Sequence, residues 1–297
     1  MKLLQKIIKP KVSIIMKYGL LLFGMNNLPD FLIIGSQKAG TQALLTYLNQ
    51  HPSLIGARKS LYFFNTNYYN NGLSWYKRQL PIRRMNNKIF EKTASYSYYP
   101  ETPKRIHDFN KNMKLILIMR DPVKRAFSGW NHYRKYYNSE NSYNKEDLIR
   151  TLICHLGQEK AKPMIDFLNE SEYKSFNHSI KEEIEAINNG KFIYNPSFVR
   201  RGIYHEQVSN YLQYFEREQI LLLESSELRN DKERVLNELT EFLEIPPFDF
   251  SKLDLKDQHM SNYRSNVMDQ ESREILKKFY EPYNEKLYDL IGKRYDW

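Results

Sequence analysis

Cysteine is almost absent from this chain of 297 residues. Because Cys154 is the only one, no disulfide bond can form within the chain, and the composition gives no sign of secretion. We expect Cys154 to be a small buried hydrophobic side chain; a reactive thiol is the alternative.

Long apolar runs are missing as well. The longest clean apolar run near the start, 18–25, is much shorter than the roughly 20 residues of a membrane-spanning helix, and Lys9, Pro10 and Lys17 break up any longer span. No small-residue cleavage site follows, so a cleavable signal is not expected. We predict a cytoplasmic protein with a basic and apolar N-terminal extension over 1–29. It either packs on the domain or rests on an anionic membrane surface as an amphipathic segment.

Acidic residues are the minority among the charged ones. The chain has 45 lysines and arginines against 35 aspartates and glutamates, a formal net charge of +10. Such an excess attracts nucleic acid, membrane surfaces, phosphorylated cofactors or acidic glycans. The basic residues cluster around the motifs described below, which favours a phosphorylated cofactor and not nucleic acid.

No internal repeat and no low-complexity linker interrupts the chain. Short apolar runs typical of buried parallel strands occur at 31–34, 88–91, 115–119 and 219–223. Helical patterns occur at 43–48, after Asp121-Pro122, and at 180–187, 231–243 and 271–291. Strands that alternate with helices predict one α/β domain over 30–297, a P-loop-like three-layer sandwich whose central parallel sheet is flanked by helices.

The first strand-like run leads into a glycine-bounded loop, Gly35-Ser-Gln-Lys38-Ala-Gly40-Thr41, and then into a helix. This arrangement points backbone N–H groups and the positive end of a helix at an anion. The nucleotide triphosphatase P-loop needs a lysine directly after its second glycine, whereas here Thr41 follows Gly40 and Lys38 lies inside the loop. A Gly-x-x-x-x-Gly turn is common by chance, so the loop alone does not establish phosphate binding.

A second motif, at 115–128, again combines a strand, a turn and a capped helix, with Asp121 at the N-cap and Pro122 at the first helical position. A kinase would place an acidic magnesium ligand at such a strand end. This chain has Arg120 there, and its planar donor fork suits phosphate oxygens. An ion pair between Arg120 and Asp121 is the structural alternative.

Together the motifs resemble those of sulfotransferases that use 3′-phosphoadenylyl sulfate (PAPS), in particular the heparan-sulfate N- and 3-O-sulfotransferase type and its bacterial relatives. Further stretches agree in order and spacing, namely 51–52, 61–64, 72–76, 91–96, 201–204, 279–284 and 287–288. The resemblance covers roughly 30–297 and is weakest across 138–195, where acceptor-specific insertions are expected.

The resemblance implies a set of cofactor-binding residues and no metal. In the first loop the cofactor-binding residues would be Ser36, Gln37, Lys38, Ala39, Gly40, Thr41 and Gln42. Of these, Lys38, Gly40, Thr41 and Gln42 would hold the 5′-phosphosulfate. The 3′-phosphate would be held by Arg120 and Ser128, with Tyr204 near it, and Arg264 would belong to a late loop that covers the nucleotide. Lys38 would also be catalytic. When the sulfuryl group leaves PAPS, negative charge develops on the phosphate oxygen of the product nucleotide (PAP), and a compact cation can neutralise this charge.

The catalytic base that the resemblance implies is missing. The heparan-sulfate type carries a glutamate three residues before the first phenylalanine of a Phe-Phe pair, and this chain has Ser60 before Phe63. A serine hydroxyl cannot accept a proton at neutral pH. Three hypotheses remain. Another residue, such as His51, His107 or His132, acts as the base; or the base is lost, which would leave an impaired enzyme or a PAP- or glycan-binding relative. In the third, the acceptor is an amine or an acidic group that reacts with little help from a general base.

The acceptor is expected to be a glycan, through a hydroxyl or an amine. The basic residues Arg58, Lys59, Lys92, Arg200 and Arg201 predict a positively charged acceptor cleft and favour an acidic glycan. Lys92 corresponds to a lysine that faces the acceptor in the heparan-sulfate type. The aromatic residues Tyr96, Tyr98 and Tyr99 would stack on sugar rings or pack in the core. An NTP-dependent kinase of the P-loop class is the other enzymatic hypothesis.

Overall fold

The computed structural model describes residues 27–83, 87–140, 142–250 and 267–297. Its sheet consists of parallel strands in the spatial order β2-β3-β1-β4-β5. The strands are β1 (Phe31–Gly35), β2 (Leu54–Gly56), β3 (Lys88–Lys92), β4 (Lys114–Met119) and β5 (Ile220–Glu224). The predicted strands are confirmed; β2 was not predicted, because three residues are too few to show a pattern.

Helices follow most of the strands and fill the long segment before β5. They are α1 (Thr41–Leu48), α2 (Gly72–Gln79), α3 (Thr102–Phe109), α4 (Pro122–Tyr137), α5 (Lys145–Leu156), α6 (Gln158–Asn169), α7 (Phe176–Asn188), α8 (Tyr204–Leu212), α9 (Ser225–Asn230), α10 (Lys232–Phe242) and α11 (Gln270–Ile291). The start of α4 is as predicted, since the Asp121 carboxylate accepts hydrogen bonds from the Val123 and Lys124 amides at 2.9 and 3.3 Å.

Side chains of β1 are fully buried on both faces of the sheet. Leu32 and Ile34 pack in a cluster with α3 and α8, whereas Phe31 and Ile33 pack in a second cluster with α1 and α10. A parallel sheet covered on both faces explains why its strands read as continuous apolar runs. The expected three-layer fold with a central parallel sheet is confirmed.

A third cluster lies beside the sheet and anchors α4. Trp130 of this helix packs against Phe176 of α7, and the same cluster includes Phe198 and Tyr280. The segment between α4 and β5 is therefore attached to the helix that begins at Pro122, directly after Arg120 and Asp121.

Cys154 is exposed on α5, so the expectation that it is buried is wrong. No described residue of α5 is fully buried, and the nearest partner of the Cys154 sulfur is the Tyr68 hydroxyl at 3.7 Å. The predicted N-terminal extension lies almost entirely outside the described residues. Among the residues that are described, we find no helix with both the length and the apolar character needed to cross a membrane.

Candidate functional site

A cleft of about 1010 Å³ opens at the carboxyl ends of the strands. Strands β1 and β4 are neighbours. The chain runs from β1 to β2 at one edge of the sheet and from β4 to β5 at the other edge. Ligands of open α/β sheets bind at such a switch point, because the loops there diverge and leave a crevice. The volume is of the size that holds a large cofactor.

The loop after β1 forms one wall of this cleft. Its backbone has positive φ at Lys38 (69°) and Gly40 (106°), and Gly40 is the N-cap of α1 without any side-chain cap. The first amides of α1 are thus left without a capping side chain, which makes the helix start a site for an anion. Gly35 is needed because a Cβ there would collide with the Ser97 side chain.

Arg120 lies at the end of β4 and joins this strand to the first loop. One guanidinium nitrogen, Nη1, donates a hydrogen bond to the Lys38 carbonyl oxygen at 3.1 Å. Burial lowers the pKa of Arg120, and the nearby positive charge of Arg229 lowers it further. Within the described ranges no carboxylate pairs with Arg120, so the alternative of an ion pair with Asp121 does not form. The rest of the guanidinium is available for a ligand in the cleft.

Most of the predicted cofactor residues line the cleft. These are Gln37, Lys38, Ala39, Gly40, Thr41, Gln42, Arg120 and Ser128. Ser36 and Tyr204 do not line it: the Ser36 amide donates to the Ile118 carbonyl at 2.8 Å, and the buried Tyr204 hydroxyl bonds to the backbone of Arg120. Arg264 lies outside the described residues.

The structure also brings cations into the cleft that the sequence analysis did not assign to the cofactor. They are Lys124 of α4, which lies within the second motif, and Arg229 of α9 and Arg273 of α11, which lie outside both motifs. Arg229 follows β5 by five positions, so a search of every strand end could have found it. No sequence signal marks Arg273, because α11 reaches the cleft only through its packing with α4, α7 and α8.

The opposite part of the cleft contains Ser60, the position at which the resemblance implies a catalytic glutamate. Ser60, Tyr62 and Lys92 line it, and Lys92 Nζ donates to Ser60 Oγ at 3.3 Å. Burial lowers the pKa of Lys92, whereas the charge of Glu91 acts in the opposite direction. Of the other cations expected in the acceptor cleft, Arg58 and Lys59 are exposed residues that do not line it.

Arg200 and Arg201 are also absent from the cleft wall. Arg201 is buried, with its guanidinium 4.0 Å from the centre of the Tyr98 ring, and Arg200 pairs with Glu206 at 2.9 Å. Of the basic acceptor residues predicted from the sequence, only Lys92 lines the cleft.

Residues 91–96 hold residues 61–64 in place. Thr93 Oγ1 accepts hydrogen bonds from the Leu61 and Tyr62 amides at 3.1 and 3.3 Å, and the Tyr96 hydroxyl accepts from the Phe63 amide at 3.0 Å. Two stretches noted separately in the sequence therefore form one structural unit, which positions Ser60 and Tyr62 beside Lys92.

The three histidines proposed as alternative bases lie in different places. His51 is engaged at both ring nitrogens, with the Pro246 carbonyl at 3.0 Å and the Ser53 amide at 3.1 Å. His107 packs against Tyr214 and Phe215 away from the cleft. Only His132 lines the cleft, where burial, assisted by the charges of Lys38 and Lys135, lowers its pKa to about 3.

The aromatic residues proposed to stack on sugar rings are core residues. Tyr96, Tyr98 and Tyr99 are buried, and the Tyr98 and Tyr99 hydroxyls bond to Ser197 and Asn195 at 3.0 Å. The stacking hypothesis is wrong for all three, and the alternative of core packing holds. The aromatic rings that do line the cleft are Tyr47, Tyr62, Phe127 and Tyr143.

Comparison with known proteins identifies the architecture. A family model described as "Sulfotransferase domain" matches residues 28–286. This chain belongs to the sulfotransferase family. The resemblance inferred from the two anion motifs is thereby confirmed, and the chain is an enzyme of the sulfotransferase class.

Relatives of this sulfotransferase include proteins of different length. The membrane-associated sulfotransferase kil1 of Dictyostelium discoideum is 27% identical, and the match covers 91% of this chain and 66% of kil1. Human heparan sulfate glucosamine 3-O-sulfotransferase 5 is 26% identical, with 92% and 75% covered. Human bifunctional heparan sulfate N-deacetylase/N-sulfotransferase 3 is 27% identical, and the match covers 90% of this chain but only 30% of that protein.

A solved structure agrees with the fold. The crystal structure of a sulfotransferase from Alicyclobacillus acidocaldarius superimposes with a TM-score of 0.64 at 25% identity, and the match covers 90% of this chain and 97% of that one. The described strands and loops are therefore those of a sulfotransferase over nearly the whole domain.

Proposed function

We propose that this sulfotransferase takes its sulfuryl group from PAPS and releases PAP. The observation that carries the proposal is the hydrogen bond between Arg120 Nη1 and the Lys38 carbonyl, which joins the two anion loops in one cleft. A nucleotide with phosphate at both its 3′ and 5′ positions needs two such sites within its own length. The proposed domain, 30–297, contains both.

The charge of the cleft supports an anionic donor. Its basic residues are Lys38, Lys92, Arg120, Lys124, Arg229 and Arg273. The described residues that line it include no aspartate or glutamate. A kinase of the P-loop class would need an acidic magnesium ligand here, so the donor set favours PAPS over a magnesium nucleotide.

Lys38 and the start of α1 would hold the 5′-phosphosulfate. Arg120 and Ser128 would hold the 3′-phosphate, with Arg229 and Arg273 adding positive charge. In the reaction Lys38 would stabilise the negative charge that develops on the bridging oxygen as the sulfur–oxygen bond breaks. Preset donors of this kind contribute roughly 10²–10³-fold each to the rate.

We propose a glycan as the acceptor, through a hydroxyl or an amine. Two kinds of heparan sulfate sulfotransferase are among the relatives, and the acceptor side of the cleft carries Lys92. An acidic glycan fits the positive charge of the cleft as a whole. We further propose cytoplasmic location with peripheral membrane contact through the N-terminal extension, in keeping with the membrane association in the name of kil1.

Isothermal titration calorimetry with PAP, ATP and a short oligonucleotide, each with and without EDTA, tests the donor site. We expect PAP to bind at micromolar or lower concentration, unaffected by EDTA, and ATP and the oligonucleotide to bind much more weakly. Preference for magnesium-ATP would overturn the proposal in favour of a kinase, and preference for the oligonucleotide would indicate nucleic-acid binding.

A transfer assay with labelled PAPS and chemically desulfated heparan sulfate tests the acceptor. Transfer of label to the glycan supports the proposal. Tight PAP binding with no transfer to this glycan or to other polysaccharides would indicate a PAP-binding relative without activity.

A further inference from the structure

The position of the missing base is occupied by a hydrogen-bonded pair. Ser60 Oγ accepts a hydrogen bond from Lys92 Nζ at 3.3 Å, and both residues line the acceptor side of the cleft. Ser60 also bonds to Tyr62, whose pKa is raised by burial and lowered in part by this bond. The shorter serine side chain thus leaves the lysine amine next to the space where a glutamate would lie.

Lys92 has no carboxylate partner among the described residues. Its neighbour Glu91 is fully buried on the other side of β3, where the Tyr76 hydroxyl and Thr93 Oγ1 donate to its two oxygens at 2.5 and 2.6 Å. A largely buried amine without a paired anion favours its neutral form, because burial disfavours charge. The lowered pKa of Lys92 agrees with this geometry.

The groups around Lys92 come from several elements. Glu91 lies on its own strand, Tyr62 lies in the segment after β2, and Lys38 and His132 line the same cleft. Glu91 is the only acidic residue in this set. Burial raises the pKa of its carboxyl group, whose oxygens accept hydrogen bonds from Tyr76 and Thr93 in the core and do not face the cleft. Burial, and not a neighbouring charge, is therefore what favours the neutral amine of Lys92.

We propose that Lys92, oriented by Ser60, is the general base of this sulfotransferase. The inference rests on the proposed function. The acceptor oxygen forms a bond to sulfur while the bond from sulfur to the 5′-phosphate oxygen breaks, and that electron pair leaves with PAP. The acceptor proton passes to the neutral Nζ of Lys92, which becomes an ammonium group and returns the proton to solvent after product release.

His132 is a weaker candidate for this step. Its pKa of about 3 makes the imidazole a poor proton acceptor, and its ring packs among Tyr133, Tyr136 and Tyr143. Lys92 differs from His132 because its amine contacts Ser60, the position at which the resemblance implies a catalytic glutamate.

Kinetics of Lys92→Arg and Lys92→Gln test the role, with PAPS and desulfated heparan sulfate as substrates. Arginine keeps the positive charge for an acidic acceptor but cannot act as a base near neutral pH. We expect both variants to lose about 10²–10⁴-fold in kcat, with PAP affinity unchanged. The wild-type rate should rise with pH to a plateau below the ordinary lysine pKa of 10.5, and this rise should vanish in Lys92→Arg.

A rescue variant separates a base from a merely structural lysine. The double variant Ser60→Glu/Lys92→Arg should have a kcat at least about 10-fold higher than that of Lys92→Arg. Its pH profile should shift to the acidic range in which a carboxylate titrates. Wild-type rates and an unchanged pH profile in Lys92→Arg would overturn the inference.

Competitive acetylation of the intact protein, followed by mass spectrometry, tests the amine without any acceptor. Lys104 is the internal reference, because it is exposed on α3 and its hydrogen bond to Asp108 raises its pKa. Lys92 should react with an apparent pKa below that of Lys104, and an equal or higher value would overturn the inference. Loss of PAP binding would instead overturn the proposed function, so the two failures are distinguishable.

Discussion

The Tyr204 hydroxyl holds the backbone of Arg120 at two points. It donates to the Arg120 carbonyl oxygen at 2.9 Å and lies 3.2 Å from the Arg120 amide nitrogen, which donates to it. Tyr204 is buried and does not line the cleft, so it positions Arg120 from the core of the protein.

We therefore predict that Tyr204→Phe weakens PAP binding by about 3–10-fold and lowers the free energy of unfolding by about 1–3 kcal/mol, because a buried backbone amide loses its partner. Calorimetry and urea unfolding measure the two effects. Tyr211→Phe is the matched control, since the buried Tyr211 hydroxyl bonds to the Tyr96 carbonyl at 3.0 Å and has no contact with Arg120. An equal loss of PAP affinity in both variants would contradict the positioning role.

Removal of either charge at the junction of the loops should reduce ligand binding strongly. We expect Lys38→Ala and Arg120→Ala each to weaken PAP binding by about 10–100-fold, since a charged hydrogen bond contributes about 1.5–3 kcal/mol. Lys38→Ala should also lower kcat, because it removes the cation at the leaving oxygen. Lys104→Ala on the exposed face of α3 is the control, and normal PAP binding by both site variants would exclude the proposed donor site.

The two arginines that only the structure revealed should contribute less. Arg229→Ala and Arg273→Ala are each expected to weaken PAP binding by a few fold, and the effect should shrink at 0.5 M salt because partly exposed charges are screened. Arg150→Ala provides the comparison, since Arg150 is an exposed arginine of α5 that does not line the cleft. Losses that do not depend on salt would argue against a purely electrostatic contribution.

Ser60→Glu should move the base from Lys92 to residue 60, because a carboxylate beside the amine favours the protonated form of Lys92. At neutral pH we expect kcat for the glycan to rise by about 10-fold or more, since a positioned general base contributes about 10²–10⁴-fold. PAP affinity should barely change, because this side chain acts on the acceptor. Initial rates across pH 5 to 9 measure the effect, with Ser60→Gln as the isosteric control. Flat or lower activity in Ser60→Glu would show that the acceptor proton does not pass through this position.

His132 should make the folded protein sensitive to acid. The pKa of His132 is about 3 in the folded protein and 6.5 for an ordinary histidine, as in the unfolded chain. Below pH 6.5 the unfolded chain therefore binds a proton that the folded chain does not. Stability is thus lost as the pH falls from 6.5 toward 3, by up to about 1.4 kcal/mol per pH unit. His132→Asn should flatten this decline in urea unfolding, whereas His178→Asn on the exposed surface of α7 should not. Parallel curves for wild type and His132→Asn would contradict the prediction.

The sequence alone determined the fold class and the family. A parallel sheet buried on both faces requires continuous apolar strands. The strands could therefore be predicted from the sequence alone, at 31–34, 88–91, 115–119 and 219–223. The two anion motifs were legible for a related reason: a strand end, a loop and a helix start are consecutive in the chain, and their chemistry depends on backbone groups and a few neighbouring side chains.

Only the tertiary structure decided which distant side chains share the cleft. Arg58, Lys59 and Arg201 carry the expected charge but do not line it, whereas Arg229 and Arg273 do. The direction of a side chain depends on packing between elements that are far apart in sequence, and single-residue charge contains no such information.

On the acceptor side of the cleft, too, the sequence determined one part of the site and the tertiary structure another. Ser60 itself follows directly from the sequence, and the resemblance implies a glutamate at this position of the short motif. That the amine of Lys92 lies 3.3 Å from Ser60 follows from the hydrogen bonds by which Thr93 and Tyr96 hold residues 61–64 against the end of β3. These bonds join segments about 30 positions apart, and only the folded chain brings their donors and acceptors together.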